Sequence, residues 1–153
     1  MRIYASVVLG YGGRVTISVE ILGRAIKQAQ YRHHRALDAR LRDVGTTLAQ
    51  WDALRAIARN PGASARELAR ETFQGDQSFG TLANRLEAQG LIRRSPGRGR
   101  RIAHSLTPDG ERTLATGRAA VLEVFDESFS GLSEDERSVL FDLLGSVGRS
   151  LTR

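Results

Sequence analysis

Residues 47–110 constrain the fold more than any other part of the sequence. They contain a series of helical patterns followed by an arginine-rich hairpin. Two capping boxes, Thr47 with Gln50 and Ser64 with Glu67, predict the first residues of two short helices. A polar turn follows the second of them, and apolar residues then recur at helical spacing. Two helices joined across a tight turn are the elements of a helix-turn-helix.

The helix after that turn has an apolar side and a polar side. Its polar side carries Gln77, Ser78 and Thr81, which we take as candidates for contacts with base edges and nearby phosphates. Solvated side chains on an ordinary helix would give the same pattern. Arg85, one turn further on, either contacts phosphate or pairs with an acid such as Glu87 or Asp52. The second helix of a helix-turn-helix is the one that enters the major groove.

The hairpin that follows concentrates positive charge. Two β-prone pieces, Leu91–Ile92 and 102–106, flank a tip rich in glycine, and five arginines but no acids lie in residues 93–101. Such a tip is a wing that enters the minor groove or binds phosphates, and a solvated loop is the alternative. The candidate DNA contacts in the wing are Arg98, Arg100 and Arg101.

Charge is distributed unevenly along the 153 residues. Residues 1–108 carry 18 lysines and arginines against 8 acids, whereas residues 109–153 carry 5 against 9. A basic N-terminal part and an acidic C-terminal part favour a polyanionic partner for one face of the protein only. All basic residues except Lys27 are arginine, which fits a GC-rich genome as well as it fits bidentate phosphate contacts.

Helices with apolar stripes flank the winged lobe on both sides. One is predicted over about residues 20–44, and two more over about 108–152. Thr107-Pro108 begins the first of these two, and a capping box of Ser133 with Glu136 begins the second. A lobe limited to residues 47–107 is too small to cover these stripes. We therefore expect the flanking helices to pack together and against a second copy, which gives a symmetric homodimer on palindromic double-stranded DNA.

Residues 1–18 form an N-terminal extension ahead of a single domain over residues 19–153. Ile3, Val7, Val8 and Leu9 suggest a short strand without an obvious partner, and the segment Tyr11-Gly12-Gly13 breaks it. We expect this extension to be poorly ordered. A flexible arm, an edge strand added to a partner, and an extension from a misplaced start codon are the alternatives.

Enzymes, metal sensors and membrane proteins lack their signatures here. The sequence has no Gly-x-Ser-x-Gly elbow, no phosphate loop and no His-Glu-x-x-His, so we expect no enzyme and no cofactor. Cysteine is absent, and the adjacent His33 and His34 point about 100° apart on a helix, so we expect no metal site. No apolar run approaches the roughly 20 residues that span a bilayer, which predicts a cytoplasmic protein.

These elements together resemble the MarR family of winged-helix transcriptional regulators. The matches run in family order over about residues 45–112, and the flanking helices extend the resemblance to residues 20–152. The family's wing usually carries Asp-x-Arg, but Arg98 stands at the position of that acid, while Arg100 keeps the arginine. The pair Thr72-Phe73 replaces the usual apolar residue and glycine before the recognition helix. The matching residues are Thr47-Leu48-Ala49-Gln50-Trp51 with Leu54, Glu67-Leu68-Ala69, Arg85-Leu86-Glu87 with Gly90-Leu91-Ile92-Arg93, Arg100, and Leu106-Thr107 with Gly110.

The resemblance implies a mainly α fold with a small β-hairpin wing and a helical dimerisation region. It also implies a dimeric repressor that a small aromatic or phenolic effector releases from DNA, by binding between the dimerisation helices and the DNA-binding lobe. Candidate effector residues are Tyr31, His34 and Trp51, although a core position is favoured for Trp51. The alternative function is a winged-helix module for DNA architecture or protein contact, without an effector.

Overall fold

The structure is a computed structural model that describes residues 8–9, 15–97, 99, 101–147 and 149. The chain divides into two compact units, residues 1–36 and 37–153. The elements in chain order are β1 (Val8–Leu9), β2 (Val15–Thr16), α1 (Val19–Asp43), α2 (Leu48–Arg59), α3 (Ala65–Glu71), α4 (Asp76–Ala88), β3 (Ile92–Pro96), β4 (Ile102–Leu106), α5 (Pro108–Phe129) and α6 (Glu134–Ser146).

The first unit contains a two-residue ladder and most of α1. β1 pairs antiparallel with β2, so Val8 faces Thr16 and Leu9 faces Val15. The sequence suggested the first strand but not its partner, because two residues of β-type sequence give too short a pattern to detect. The remainder of the predicted N-terminal extension, residues 1–7 and 10–14, lies outside the described residues.

The starts of the helices follow the caps that the sequence predicts. Thr47, Ser64 and Ser133 each accept a hydrogen bond from the backbone N–H three residues later, and each capping box is complete. Thr107 caps α5, with Pro108 in its first turn. Gly75 is the N-cap of α4 and makes no side-chain hydrogen bond. A side-chain cap contributes about 1 kcal/mol, so these residues fix where each helix begins.

A winged lobe forms the larger part of the second unit. α2, α3 and α4 pack around an apolar cluster that the β3–β4 hairpin closes from one side. Complete burial of a leucine or phenylalanine side chain contributes about 1.5–3 kcal/mol, so this cluster is the main source of stability for the lobe. Its largest fully buried side chains are Leu54, Ile57, Leu68, Phe79 and Leu86.

The β3–β4 hairpin is longer than the sequence indicated. Its antiparallel register runs from Ile92 opposite Leu106 to Pro96 opposite Ile102. His104 anchors it from beneath: its ring is buried, lies 3.0 Å from the carbonyl oxygen of Ala63 through Nδ1, and meets Phe79 edge-on. From the sequence, Ser95 and Pro96 were expected in the flexible tip, because the stretch after Ile92 gives no apolar alternation, but both belong to β3.

A second apolar cluster joins residues 37–43 of α1 to α2 and α5. Trp51 lies at its centre, and its ring N–H donates to the carbonyl oxygen of Leu114 at 3.1 Å. A Cβ added at Gly117 would lie 2.3 Å from Trp51 Cδ1 and 3.1 Å from Leu41 Cδ2. Glycine at this position therefore allows α5 to approach the indole ring.

α6 contributes no buried side chain among the described residues. Four of its apolar residues and its C-cap, Val147, are instead more than half exposed, so the described residues leave most of the apolar side of this helix uncovered. The exposed residues are Val139, Phe141, Leu143, Leu144 and Val147.

Candidate nucleic-acid interface

α4 presents one polar face to solvent. Gln77, Ser78, Thr81 and Arg85 are all exposed, whereas Phe79 on the opposite side is fully buried. Because side chains four residues apart lie above one another on a helix, Gln77, Thr81 and Arg85 form a row. The Thr81 hydroxyl donates to the carbonyl oxygen of Gln77 at 3.1 Å. The structure thus brings these four predicted residues together on one surface.

Arg85 makes none of the ion pairs seen in the described part of the chain. The two acids that the sequence offered as partners face other arginines: Glu87 lies 3.5 Å from Arg94, and Asp52 lies 2.9 Å from Arg55. The guanidinium group of Arg85 is exposed on the same helix as Gln77 and can therefore meet an anion from outside the chain.

Arg94 joins the hairpin to α4. Its Nη2 donates to Oδ1 of Asn84 at 2.7 Å, and its side chain is only 23% exposed. Sequence reasoning did not single out this residue, because Arg93 and Arg94 look alike in a basic run. Alternation along β3 separates them: the side chain of Arg93 is exposed, and that of Arg94 is half-buried.

Arg101, a predicted wing contact, is tied to α3. Its Nη1 donates to Oε1 of Glu67 at 3.2 Å, although its side chain is 67% exposed. The same carboxylate accepts hydrogen bonds from the backbone N–H and the hydroxyl of Ser64. These hydrogen bonds, with a smaller contribution from the positive charge of Arg101, lower the pKa of Glu67 below its ordinary value of 4.5. The lowered pKa favours the negatively charged form of Glu67, beside Arg101 of the hairpin.

Arg98 and Arg100 lie outside the described residues, so their roles in the wing stay predictions. The described neighbours show how the tip closes, because the N–H of Gly97 donates to the carbonyl oxygen of Arg101 at 2.8 Å. The hairpin hydrogen bonding thus continues one residue beyond Pro96.

A cavity of about 800 Å³ lies between α2, β4 and α5. Trp51, Leu122 and Phe125 give it apolar walls, and Arg55 and Arg118 also line it. Trp51 occupies the core position that the sequence favours, and it also lines this space, but its role in effector binding stays a prediction.

Tyr31 and His34, the other predicted effector residues, belong to the first unit. Both are exposed on α1, and the hydroxyl of Tyr31 accepts a hydrogen bond from Arg35 at 3.4 Å. Their assignment to an effector site stays a prediction. Among the described residues, no cluster of three or more histidine, aspartate and glutamate side chains could hold a metal ion. Nor does any helix in the described ranges have the length and apolar character to cross a membrane.

Comparison with known proteins identifies the family. A family model described as MarR family matches residues 44–102. The solved structure of the transcriptional repressor CouR, bound to p-coumaroyl-CoA, is 30% identical and superposes with a TM-score of 0.74, covering 85% of this chain and 93% of CouR. The chain belongs to the MarR family. Both the predicted resemblance and the predicted winged-helix fold are confirmed.

The chain is also similar to a MarR protein bound to DNA and to a second transcriptional regulator. A mutant of MarR from E. coli, solved in complex with operator DNA, is 25% identical with a TM-score of 0.76, covering 82% of this chain and 92% of that one. A putative transcriptional regulatory protein for the hcr operon of Thauera aromatica is 39% identical over 108 residues. This match covers 69% of the present chain and 64% of the length of the Thauera protein.

Proposed function

We propose that this MarR-family protein is a dimeric, sequence-specific transcriptional repressor that a small effector releases from DNA. The observation that carries the proposal is the exposed polar row of α4 beside an arginine-rich hairpin. The repressor and regulator names of CouR and the Thauera protein support it. A repressor meets its DNA in the cytoplasm, so the proposal places the protein there, with residues 19–153 as the functional domain and with no catalytic step.

In this proposal α4 lies in the major groove. Gln77, Ser78 and Thr81 contact base edges and adjacent phosphates, and Arg85 neutralises a phosphate. The hairpin follows the DNA backbone to the neighbouring groove, where Arg98 and Arg100 reach the minor groove or its phosphates.

The dimer in this proposal is built from the apolar surface that one chain leaves open. Val139, Leu143 and Leu144 on α6 are each more than half exposed. A contiguous apolar patch of this kind on a protein marks an interaction site. A two-fold axis through it would present two copies of α4 to one palindrome.

The effector in this proposal occupies the cavity between α2, β4 and α5. Its apolar walls suit an aromatic group, and Arg118 suits an anionic one, because no ion pair in the described residues involves this guanidinium. The complex of CouR with p-coumaroyl-CoA supports an aromatic effector. An effector that fits only one arrangement of the two α4 helices must lower DNA affinity to the same extent that DNA lowers effector affinity.

Selection from random duplexes, followed by affinity measurements at several salt concentrations, tests the DNA-binding part. We expect one palindrome to be enriched and log Kd to rise steeply with log salt. Arg85→Ala should shrink the salt slope by about 1. Arg112→Ala is the matched control, since Arg112 is an exposed arginine on α5 that pairs with Asp109.

Each outcome separates this proposal from its alternatives. A salt slope without preference among sequences would favour an architectural protein, and no DNA binding at all would remove the proposal. For the effector, aromatic acids and their coenzyme A thioesters, p-coumaroyl-CoA included, are added to the protein–DNA complex. We expect one of these compounds to release the protein from DNA, and we expect Arg118→Ala to weaken that release. If the compound released wild type and variant equally, the effector would bind elsewhere.

A further inference from the structure

Phe73 has an unusual conformation in the turn between α3 and α4. Its φ angle is +54°, and it is the one residue other than glycine with positive φ in the described part of the chain. Its side chain is 99% exposed. The turn itself is well defined, because the N–H of Gln74 donates to the carbonyl oxygen of Ala69 at 2.8 Å and Gly75 caps α4.

Both properties of Phe73 are unfavourable in the free protein. The left-handed region brings Cβ close to the backbone, so glycine or asparagine occupies it at lower cost than phenylalanine. A fully exposed ring also gains nothing from burial. Strained residues of this kind concentrate at binding sites, where a ligand supplies the contact that the free protein lacks.

The position of the ring indicates what that ligand is. Phe73 is two residues before the N-cap Gly75 and four before Gln77, on the segment that leads into the exposed face of α4. A phenyl ring has no hydrogen-bond donor for a phosphate. The 5-methyl group of thymine is the apolar group that bases display in the major groove, and phenylalanine is one of the side chains that contact it.

We propose that Phe73 is a specificity-determining residue that contacts the 5-methyl group of a thymine in the major groove. This inference rests on the proposed function, because it requires α4 to enter that groove. The residue does not stabilise the lobe: the apolar cluster beneath α4 is filled by Phe79 and Leu86, which are fully buried. A change at Phe73 is therefore expected to alter DNA recognition and to leave the core intact.

Replacement of thymine by deoxyuridine tests the contact, because it removes only the methyl group. Each thymine of the selected palindrome is replaced in turn, and affinities are measured for wild type, Phe73→Gly, Phe73→Asn and Phe73→Trp. We expect one position in each half-site where deoxyuridine weakens wild-type binding about three- to tenfold. At that position the Gly and Asn variants should bind both duplexes equally, whereas the Trp variant should keep a preference for thymine.

Stability and a second phenylalanine provide the controls. Gly and Asn both tolerate positive φ, so the midpoint of thermal unfolding should equal or exceed that of wild type. Phe141→Ala removes another exposed ring, on α6, and should leave the pattern of sensitive thymines unchanged even if a weakened dimer lowers its overall affinity.

The outcomes distinguish this inference from the function on which it rests. If wild type enriches no duplex, the proposed function fails. The contact requires a thymine whose replacement by deoxyuridine weakens wild-type binding but does not affect Phe73→Gly. If wild type binds a palindrome and no such thymine is found, the contact is absent. A lower unfolding midpoint in both Gly and Asn variants would show that Phe73 is a structural residue, which also overturns the inference.

Discussion

Arg94 on the hairpin donates a hydrogen bond from Nη2 to Oδ1 of Asn84 on α4, over 2.7 Å. Its Nε lies 3.5 Å from Oε2 of Glu87 and is buried without a hydrogen bond of its own. The half-buried guanidinium group of Arg94 therefore connects β3 to α4, which are otherwise joined by a short turn. We therefore expect this side chain to hold the orientation of the hairpin relative to α4.

Arg94→Ala should lower both stability and DNA affinity. The lost hydrogen bond to Asn84 is expected to reduce the free energy of unfolding by about 1 kcal/mol. DNA affinity should fall as well, since the hairpin and α4 then meet the duplex with a less defined spacing. Urea unfolding and fluorescence anisotropy on the selected duplex measure the two effects.

Arg93 supplies the control for this change, because it is the exposed neighbour on the same strand. Arg93→Ala should alter stability by less than about 0.5 kcal/mol. A double-mutant cycle of Arg94→Ala with Asn84→Ala should show a coupling free energy of at least about 0.5 kcal/mol. Strictly additive effects would mean that the contact does not orient the hairpin.

Gly117→Ala should destabilise the protein, because the new Cβ would lie 2.3 Å from Trp51 Cδ1. α5 and the indole ring would have to separate, and overpacking of this kind costs about 1–3 kcal/mol. The matched control is Gly145→Ala on α6, where a Cβ meets nothing within 4 Å and should increase stability by about 0.5–1 kcal/mol. Urea unfolding measures the stability of both variants. If Gly117→Ala were as stable as wild type, the close packing of α5 against Trp51 would be contradicted.

Acid should destabilise the protein through two of its capping boxes. Hydrogen bonds from Ser64 and Ser133 lower the pKa values of Glu67 and Glu136 below the ordinary value of 4.5. A lowered pKa in the folded state means that the stabilisation is complete above about pH 4.5 and is lost as the pH falls through the folded-state values. The free energy of unfolding should therefore decrease over that acidic range.

A double variant of Glu67→Gln and Glu136→Gln isolates this effect. Glutamine keeps the reciprocal capping hydrogen bonds without the charge. The variant should be less stable than wild type at neutral pH, and its stability should change less between pH 5 and pH 3. If the two proteins showed parallel dependence on pH in urea unfolding, the capping carboxylates would not be its source.

The sequence predicted the elements that depend on local patterns. The capping boxes at Thr47, Ser64 and Ser133 and the proline at 108 placed four helix starts, because each pattern encodes its own backbone hydrogen bond. The inward face of α2 was less well predicted. Helical spacing predicts an inward face of Trp51, Leu54, Ile57 and Ala58. Of these, Ala58 is exposed, because the buried side of the helix is shifted towards Ala53.

The candidate site depended more on tertiary contacts, and these are not visible in the sequence. The exposure of Gln77, Thr81 and Arg85 follows from helical periodicity, so it was predictable. The tie from Arg94 to Asn84 was not, because it depends on the register of the hairpin across α4. Nor was the contact between Arg101 and Glu67, which lie 34 residues apart.

Removal of the charge at Glu67 should strengthen DNA binding. In the free protein this carboxylate pairs with Arg101 at 3.2 Å, so a phosphate that approaches Arg101 must compete with it. The carboxylate also repels phosphates in its own right. Because an exposed ion pair contributes only modestly, Glu67→Gln should raise affinity by up to about fivefold.

Salt dependence and a neighbouring glutamate test this explanation. The increase in affinity should shrink as salt concentration rises, because screening weakens both the competition and the repulsion. Glu71→Gln removes an equal charge from the same helix, but Glu71 lies 4.0 Å from Arg59 of α2 and makes no ion pair with the described residues of the hairpin. Its effect on affinity should be smaller. In the Arg101→Ala background, Glu67→Gln should keep only the part due to direct repulsion. An equal gain with and without Arg101 would show that competition for Arg101 plays no part.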